Sequence, residues 1–213
     1  MSPVVLGIDT SATVCAGLAR GGEVLASGVV DDTRAHAEQL MPLVRRVAAQ
    51  AGLDGLAGVD AIAVGVGPGP FTGLRVGVVA ASVLAEALGL PIRGVCSLDV
   101  LAHQGVAAGL VSGEFVVASD ARRKEWYWAR YGADGRRLDG PFVTAPDELP
   151  DLPRVGPVTS TPLDLDAGVL ASIAAGLPEA GLEPLYLRRP DAEVPTARKS
   201  TLVPPRLAPR RIR

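Results

Sequence analysis

The stretch VVLGIDTSA, residues 4–12, decides the fold prediction because a short β-rich run ends there at an aspartate followed by two hydroxyl side chains. Two further β-rich runs, VCAGLARG and EVLASGVVDD, follow at once and are separated by a Gly-Gly turn signal. The three runs predict an antiparallel meander. Apolar residues then recur at helical spacing over residues 35–51, which predicts an amphipathic helix.

Strands and helices alternate in the next part of the chain. DAIAVGVG and PIRGVCS predict buried strands, while residues 71–90 and 97–110 predict helices, the second capped by Ser97. A second hairpin pattern then begins, with a turn at Asp134-Gly135, and a weak helix follows over residues 166–176. The chain therefore repeats its opening arrangement in a shortened form.

Two stacked units that open with β-hairpins and then add helices are typical of the actin-like ATPase architecture. The expected fold is therefore α/β, with two βββαβα-like lobes of which the second is truncated. We expect an N-terminal lobe over residues 1–100, a smaller degenerate lobe over residues 101–187 and a flexible, basic, proline-rich tail over residues 188–213.

Composition restricts the function classes. The 213 residues are 48% hydrophobic with a mean hydropathy of +0.28, which excludes general disorder. The start lacks the pattern of a signal peptide, and the longest apolar run, residues 76–88, is interrupted by Ser82 and Glu86. We therefore expect a cytoplasmic protein without a membrane segment, in which Cys15 and Cys96 are small buried side chains.

Charge is distributed unevenly along the chain. Residues 1–187 carry a net charge of −8 and residues 188–213 one of +6, with histidine neutral. The acidic body is expected to bind nucleic acid poorly by itself, because non-specific affinity comes from neutralised phosphates. The basic tail is a candidate RNA contact, and the alternative is a solubilising end without a ligand. The candidate RNA-contacting residues are Arg206, Arg210, Arg211 and Arg213.

Two turns supply candidate phosphate-binding positions. Asp9, Thr10 and Ser11 occupy the place where actin-like ATPases position metal and phosphate, and the loop GVGPGPFTGLR contributes Gly67 and Gly69. That loop lacks the Lys-Ser/Thr of a Walker motif and does not match G-x-G-x-x-G, so we interpret it as a rigid turn. The five positions are predicted to be vestigial. The alternative is a purely structural β-turn capped by the aspartate.

Two enzymatic alternatives lack part of their residue sets. An ATP-dependent kinase of the actin-like fold needs a second phosphate turn, but Asp120 is followed by ARRK with no glycine. An M22-type glycopeptidase needs clustered ligands such as H-x-x-x-H, whereas the two histidines, His36 and His103, stand 67 positions apart. We interpret both histidines as capping or packing residues, and we predict no catalytic residue, metal or cofactor.

The helix over residues 71–90 carries the partner signal. Small residues recur every four positions along one face, and larger apolar residues cover much of the rest. We predict that this row and the apolar face of the preceding helix form an interface with another chain, and that Gly77→Leu weakens assembly while leaving the fold intact. The alternative is an interior helix of a monomer. The predicted interface residues are Ala37, Leu40, Met41, Val44, Val47, Gly73, Gly77, Ala81 and Ala85.

The hairpin segment SDARRKEWYWARY combines three consecutive cations with aromatic side chains. Strand alternation places Trp126 and Trp128 on one face and Tyr127 on the other, which predicts a hairpin with one aromatic face packed on the core. A stacking platform for RNA is the alternative.

Five separated motifs, in this order and spacing, resemble the bacterial TsaB family, also called YeaZ. They fall within residues 4–189 and read VLGIDTSAT, HAEQLMPLV, GVGPGPFTGLRVG, SDARRKEWYWARY and PLYLR. The resemblance implies a catalytically silent partner of TsaD, the enzyme that transfers threonylcarbamoyl to the adenosine next to the anticodon of ANN-reading tRNAs. It also implies an associated TsaE-type ATPase and contact with tRNA through the complex.

In that family the heterodimer forms through two helices, which match residues 35–51 and 72–89 here. The same apolar surface is expected to pair with itself, as a homodimer, when no TsaD-type chain is present. Pro70 departs from the family, which usually has serine at this point of the loop.

Overall fold

The computed structural model describes residues 2–30 and 36–188, which form two sheets and four α-helices. The first sheet contains β1 Val4–Asp9, β2 Val14–Arg20, β3 Glu23–Val30, β4 Ala61–Gly65 and β5 Ile92–Val95. The second contains β6 Phe115–Asp120, β7 Trp126–Tyr131, β8 Arg137–Thr144 and β9 Arg154–Val155. The helices are α1 His36–Gln50, α2 Phe71–Leu88, α3 Ser97–Ala107 and α4 Ala167–Ile173, with short 3-10 turns at Pro146–Glu148 and Ala174–Gly176.

The first sheet has the strand order β3-β2-β1-β4-β5. Its first three strands pair antiparallel, so the predicted meander is confirmed. Because β1, β4 and β5 pair in parallel, α1 and α2 are crossover connections that lie on the sheet. Ile8, Leu43 and Val64 have no exposed surface and belong to the main apolar core beneath these helices.

The second sheet repeats this order in reduced form, as β8-β7-β6-β9. β6, β7 and β8 form a second antiparallel meander, and β9 adds in parallel to β6 through only two residue pairs. The repetition of one strand order in two sheets confirms the predicted α/β fold of the actin-like type, with a truncated second lobe.

After the second sheet the chain returns to the first, where α4 covers the face opposite α1 and α2. Two glycines allow this close approach. A Cβ at Gly7 would lie 2.1 Å from the carbonyl oxygen of Ala167, and a Cβ at Gly17 would lie 2.1 Å from the backbone nitrogen of Gly168. The first sheet is therefore covered on both faces, and the division of the chain near residue 100 stays a proposal about folding units.

α2 is long and apolar enough to cross a membrane by length and composition alone, and 33% of the helix is buried inside the chain. The buried core helix of a globular protein meets the same criteria. Here α2 connects β4 to β5, which are neighbours in one sheet, so both of its ends are fixed at that sheet. Its buried residues are Gly73, Leu74, Gly77, Val78, Ala81 and Ala85.

The predicted row of small residues on α2 faces the interior of its own chain. A Cβ at Gly77 would lie 2.2 Å from Thr10 Oγ1, and Thr10 Oγ1 donates a 2.7 Å hydrogen bond to the carbonyl oxygen of Gly73. Ala81 and Ala85 are buried as well. The expectation that Gly77→Leu spares the fold is therefore wrong, because a side chain at this position collides with the turn after β1.

Two smaller expectations also need correction. Cys96, and not Ser97, occupies the N-cap of α3. His103 is exposed on α3 and does not pack in the core.

The aromatic face predicted for the second hairpin is confirmed. Trp126 and Trp128 pack in one apolar cluster with Leu149. Tyr127, on the other face of β7, is buried as well, and its hydroxyl donates to the carbonyl oxygen of Gly69.

Other expectations are met or fall outside the described part. Cys15 and Cys96 are both buried and unpaired, as predicted. The side chains of His36 and Ala37 and residues 189–213, including Arg206, Arg210, Arg211 and Arg213, lie outside the described residues.

Gly77→Ala is predicted to destabilise the protein although alanine favours helix formation. The new methyl group forces Thr10 out of its hydrogen bond with Gly73, and overpacking of this kind costs about 1–3 kcal/mol. Urea unfolding measures the change. Ala87→Leu, at an exposed position of the same helix, is the control and should change stability by less than about 0.5 kcal/mol. A gain of about 1 kcal/mol in Gly77→Ala, as helix propensity alone implies, would contradict this packing.

Candidate functional site

The turn after β1 closes on the side chain of Asp9. The carboxylate lies at the carboxyl end of the strand, and Oδ1 accepts hydrogen bonds from the backbone nitrogen of Ser11 at 2.7 Å and from Ser11 Oγ at 2.6 Å. This is the local side-chain capping of a turn that aspartate and serine favour. One oxygen of the carboxylate is thus satisfied within the turn itself.

The other oxygen of Asp9 is satisfied from a distant part of the chain. Ser97, the first residue of α3, donates from Oγ to Asp9 Oδ2 and accepts from the backbone nitrogen of Gly67 at 3.1 Å. Sequence reasoning treated Ser97 only as a helix cap and missed this contact. The available signal was its position, because the carboxyl ends of the neighbouring parallel strands β1, β4 and β5 meet at one edge of the sheet.

Glycines pack closely against Asp9 and Ser11 in this turn. A Cβ at Gly65 would lie 1.7 Å from Asp9 Oδ2, and a Cβ at Gly69 would lie 2.5 Å from the carbonyl oxygen of Ser11. The structure brings the predicted positions Asp9, Thr10, Ser11, Gly67 and Gly69 together, and it fills the space between them with protein atoms. We call this buried group the closed turn.

Electrostatics fits an internal role for the closed turn. Burial raises the pKa of Asp9, while the hydrogen bonds from Ser11 and Ser97 lower it. Within residues 2–30 and 36–188, no lysine or arginine pairs with this carboxylate, and no three metal-binding side chains cluster. Chemically, the carboxylate acts as an acceptor that joins the turn to the start of α3.

An exposed apolar face lies on the outer side of α2. Val79 and Val83, one helical turn apart, are 57% and 60% exposed. Beside them the segment after the last 3-10 turn runs along the helix, and the ring of Tyr186 lies 4.7 Å from that of Phe71. We call the surface of Phe71, Val79, Val83, Leu182 and Tyr186 the α2 outer face.

The α2 outer face differs from the predicted interface. Most of the predicted residues are buried in the chain itself, so they are unable to touch a partner directly. Among the predicted residues whose side chains the structure describes, only Met41 is partly exposed, and α1 also turns its apolar stripe inward. The buried ones are Leu40, Val44, Val47, Gly73, Gly77, Ala81 and Ala85. Since α2 is apolar on nearly all sides, periodicity alone did not reveal which side faces outward.

Comparison with known proteins identifies the family. A family model described as "TsaD: tRNA N6-adenosine threonylcarbamoyltransferase" matches residues 24–161. The structure of YeaZ from Pseudomonas aeruginosa aligns with a TM-score of 0.70 and 30% identity, over 87% of this chain and 100% of that one. The chain belongs to the TsaB (YeaZ) family.

Two bacterial proteins are similar to this chain in sequence. An uncharacterised protein of Mycobacterium tuberculosis is 43% identical in an alignment that covers 89% of this chain and 93% of that protein. The "tRNA threonylcarbamoyladenosine biosynthesis protein TsaB" of Escherichia coli is 36% identical over 131 residues, 61% of this chain and 55% of that protein. The resemblance drawn from five motifs is confirmed.

Asp9→Asn is predicted to change how stability depends on pH. Because burial raises the pKa of Asp9, the folded state favours the protonated side chain. The stability that this protonation contributes is fully present below the unfolded-state pKa of about 3.9, and it is lost as pH rises through the folded-state pKa. Asparagine keeps an acceptor for Ser11 without a charge. The variant should therefore gain stability relative to wild type as pH rises.

Urea unfolding of both proteins between about pH 4 and pH 8 measures this difference. Asp54→Asn, at an exposed position, is the matched control. If the wild type instead becomes more stable relative to Asp9→Asn as pH rises, the carboxylate is stabilised in its charged form and this prediction is wrong.

Proposed function

We propose that this chain is the non-catalytic subunit of the bacterial complex that transfers threonylcarbamoyl to the adenosine next to the anticodon of ANN-reading tRNAs. It would act by forming a heterodimer with a TsaD-type transferase. Membership of the TsaB family supports the pathway, since curated relatives carry that biosynthetic role in their names. A role in tRNA modification also favours the cytoplasm.

The observation that carries the proposal is the α2 outer face. Exposed apolar side chains that form a contiguous patch mark protein–protein contacts more often than isolated ones do. Here they line one side of α2 and continue onto Leu182 and Tyr186. Arg75 and Glu86 flank the patch, which gives it the polar rim of an interface.

The closed turn supports a silent role. A phosphate group needs exposed backbone amides or a metal at this position, whereas the amide of Ser11 is used by Asp9 and the amide of Gly67 by Ser97. At the corresponding turn of the second sheet, Arg188 donates to the carbonyl oxygen of Ala121 and pairs with Glu125. Nothing in these contacts favours the kinase or glycopeptidase alternatives.

The remaining partners follow from the same proposal. A TsaE-type ATPase would join the heterodimer, tRNA would be held by the whole complex, and the α2 outer face would pair with a second copy when the transferase is absent. In this proposal the basic tail contacts the tRNA that the complex holds.

Val83→Asp is predicted to break the heterodimer. A carboxylate at this exposed position leaves the folded chain intact but becomes desolvated against an apolar partner. Burying an unpaired charge against an apolar partner costs about 2 kcal/mol or more, so binding should weaken at least about 30-fold. Sedimentation velocity with the TsaD-type protein of the same organism measures the effect.

Val29→Asp is the control, because Val29 is also an exposed valine, 49% accessible, but lies on β3. It should bind the transferase like wild type. Equal binding by Val83→Asp and wild type would exclude the α2 outer face as the interface, and absence of any complex with wild type would overturn the proposed function.

A further inference from the structure

The connection between β6 and β7 carries three consecutive cations, Arg122, Arg123 and Lys124, which we call the basic turn. All three residues are exposed. The tryptophans of the adjoining strand pack in the apolar cluster of Leu149 and do not form an open stacking surface. The cations, rather than the aromatic rings, are therefore the exposed part of this hairpin.

The backbone of the basic turn adopts a conformation that L-amino acids rarely use. The φ angles of Arg122, Arg123 and Lys124 are +63°, +52° and +63°, and no other non-glycine residue within 2–30 and 36–188 has a positive φ. Hydrogen bonds hold the turn: the amide of Arg122 donates to Asp120 Oδ1 at 2.8 Å, and the amide of Glu125 donates to the carbonyl oxygen of Arg122 at 3.0 Å. Strained backbone of this kind persists where surrounding contacts enforce it, so the three cations are kept together in one short turn.

Positive charge exceeds negative charge around the basic turn. Its two acidic neighbours are both paired: Asp120 Oδ2 lies 3.3 Å from Arg122 Nη1, and Glu125 pairs with Arg188. The exposed pair of Arg122 and Asp120 contributes little stability, so Arg122 is able to exchange that partner for a phosphate. Residues 1–187 carry a net charge of −8, and the excess of positive charge is therefore a local feature.

The basic turn lies close to the α2 outer face. Tyr127, at the start of β7, donates from Oη to the carbonyl oxygen of Gly69 at 3.4 Å, in the loop that leads into α2. On the other side, Arg188 donates to the carbonyl oxygen of Ala121 at 2.8 Å, and it follows by two residues Tyr186 of the α2 outer face. A macromolecule held across the heterodimer at this edge would therefore meet the basic turn.

The strongly basic end of the sequence follows directly. Arg188 is the last described residue, and residues 189–213 carry seven basic and two acidic side chains. Because Arg188 is fixed at the basic turn, that segment is attached to the folded chain beside it. A series of cations of this length fits an extended polyanion better than a single phosphate.

We propose that the basic turn contacts the phosphate backbone of the tRNA that the complex holds. Arg122, Arg123 and Lys124 would bind neighbouring phosphates without reading bases, and residues 189–213 would extend the contact along the RNA. The inference rests on the proposed function, since the acidic chain is expected to bind RNA poorly by itself. An acidic segment of the transferase is the other polyanion that this turn would fit, and the test separates the two.

Fluorescence anisotropy tests the proposal with the assembled complex and an ANN-reading tRNA that lacks the modification. The turn variant carries Arg122→Gln, Arg123→Gln and Lys124→Gln. It should bind this tRNA at least about tenfold more weakly than wild type at about 0.1 M salt, and its logarithmic salt slope should fall by about 2, as for three lost phosphate contacts. Lys124→Gln alone, a smaller change, should lower the slope by about 0.7.

The matched control removes the same amount of charge at exposed positions away from the basic turn. It carries Arg20→Gln, Arg46→Gln and Arg136→Gln. This variant should bind tRNA with the affinity and salt slope of wild type. If the turn variant and the control bind tRNA equally, with equal slopes, the inference is wrong while the proposed function stands.

Assembly with the TsaD-type protein is measured on the same variants by sedimentation velocity without RNA. Both variants should form the heterodimer like wild type, which also shows that they fold. A turn variant that keeps the thermal stability of wild type but loses the heterodimer would show that the basic turn binds the transferase and not RNA, which overturns the inference. If wild type itself forms no complex, the proposed function fails and this inference fails with it.

Discussion

The structure depends on the burial of one carboxylate, that of Asp9. A buried carboxylate is destabilising unless its oxygens accept hydrogen bonds, and here Ser11 and Ser97 supply them. Because Ser97 begins α3, this contact joins the turn after β1 to the helix that leads into the second sheet. The same contact fills the space between the turn after β1 and the loop of Gly67 with protein atoms. One interaction therefore joins three separate segments of the chain.

The closed turn also determines which side of α2 is available to a partner. Thr10 packs against Gly73 and Gly77, so the row of small residues has to face inward. The opposite side of the helix then presents Val79 and Val83 outward. The filled space around Asp9 and the outward direction of Val79 and Val83 therefore have a common origin, the close packing of α2 on the turn after β1.

Local patterns predicted much of the fold, whereas contacts between distant segments remained hidden. The meander and α1 follow from alternation and helical spacing, which neighbouring residues alone determine. The orientation of α2 does not, because an all-round apolar helix has no preferred side. The hydrogen bond from Ser97 to Asp9 and the cluster of Asp99 with Tyr131 depend on how separate elements meet in space. The sequence indicates at most that Asp9 and Ser97 lie at one edge of the sheet, and no local pattern shows that their side chains touch.

The most direct test of a silent subunit is threonylcarbamoylation of tRNA in a reaction reconstituted with the TsaD-type and TsaE-type proteins. The amount of modified adenosine would be compared between wild type and Asp9→Asn, at equal concentrations of assembled complex. We expect equal amounts, because Asp9 is buried and both of its oxygens accept hydrogen bonds from Ser11 and Ser97. A complex that assembles normally but forms no product with Asp9→Asn would contradict the account, since Asp9 would then take part in the chemistry.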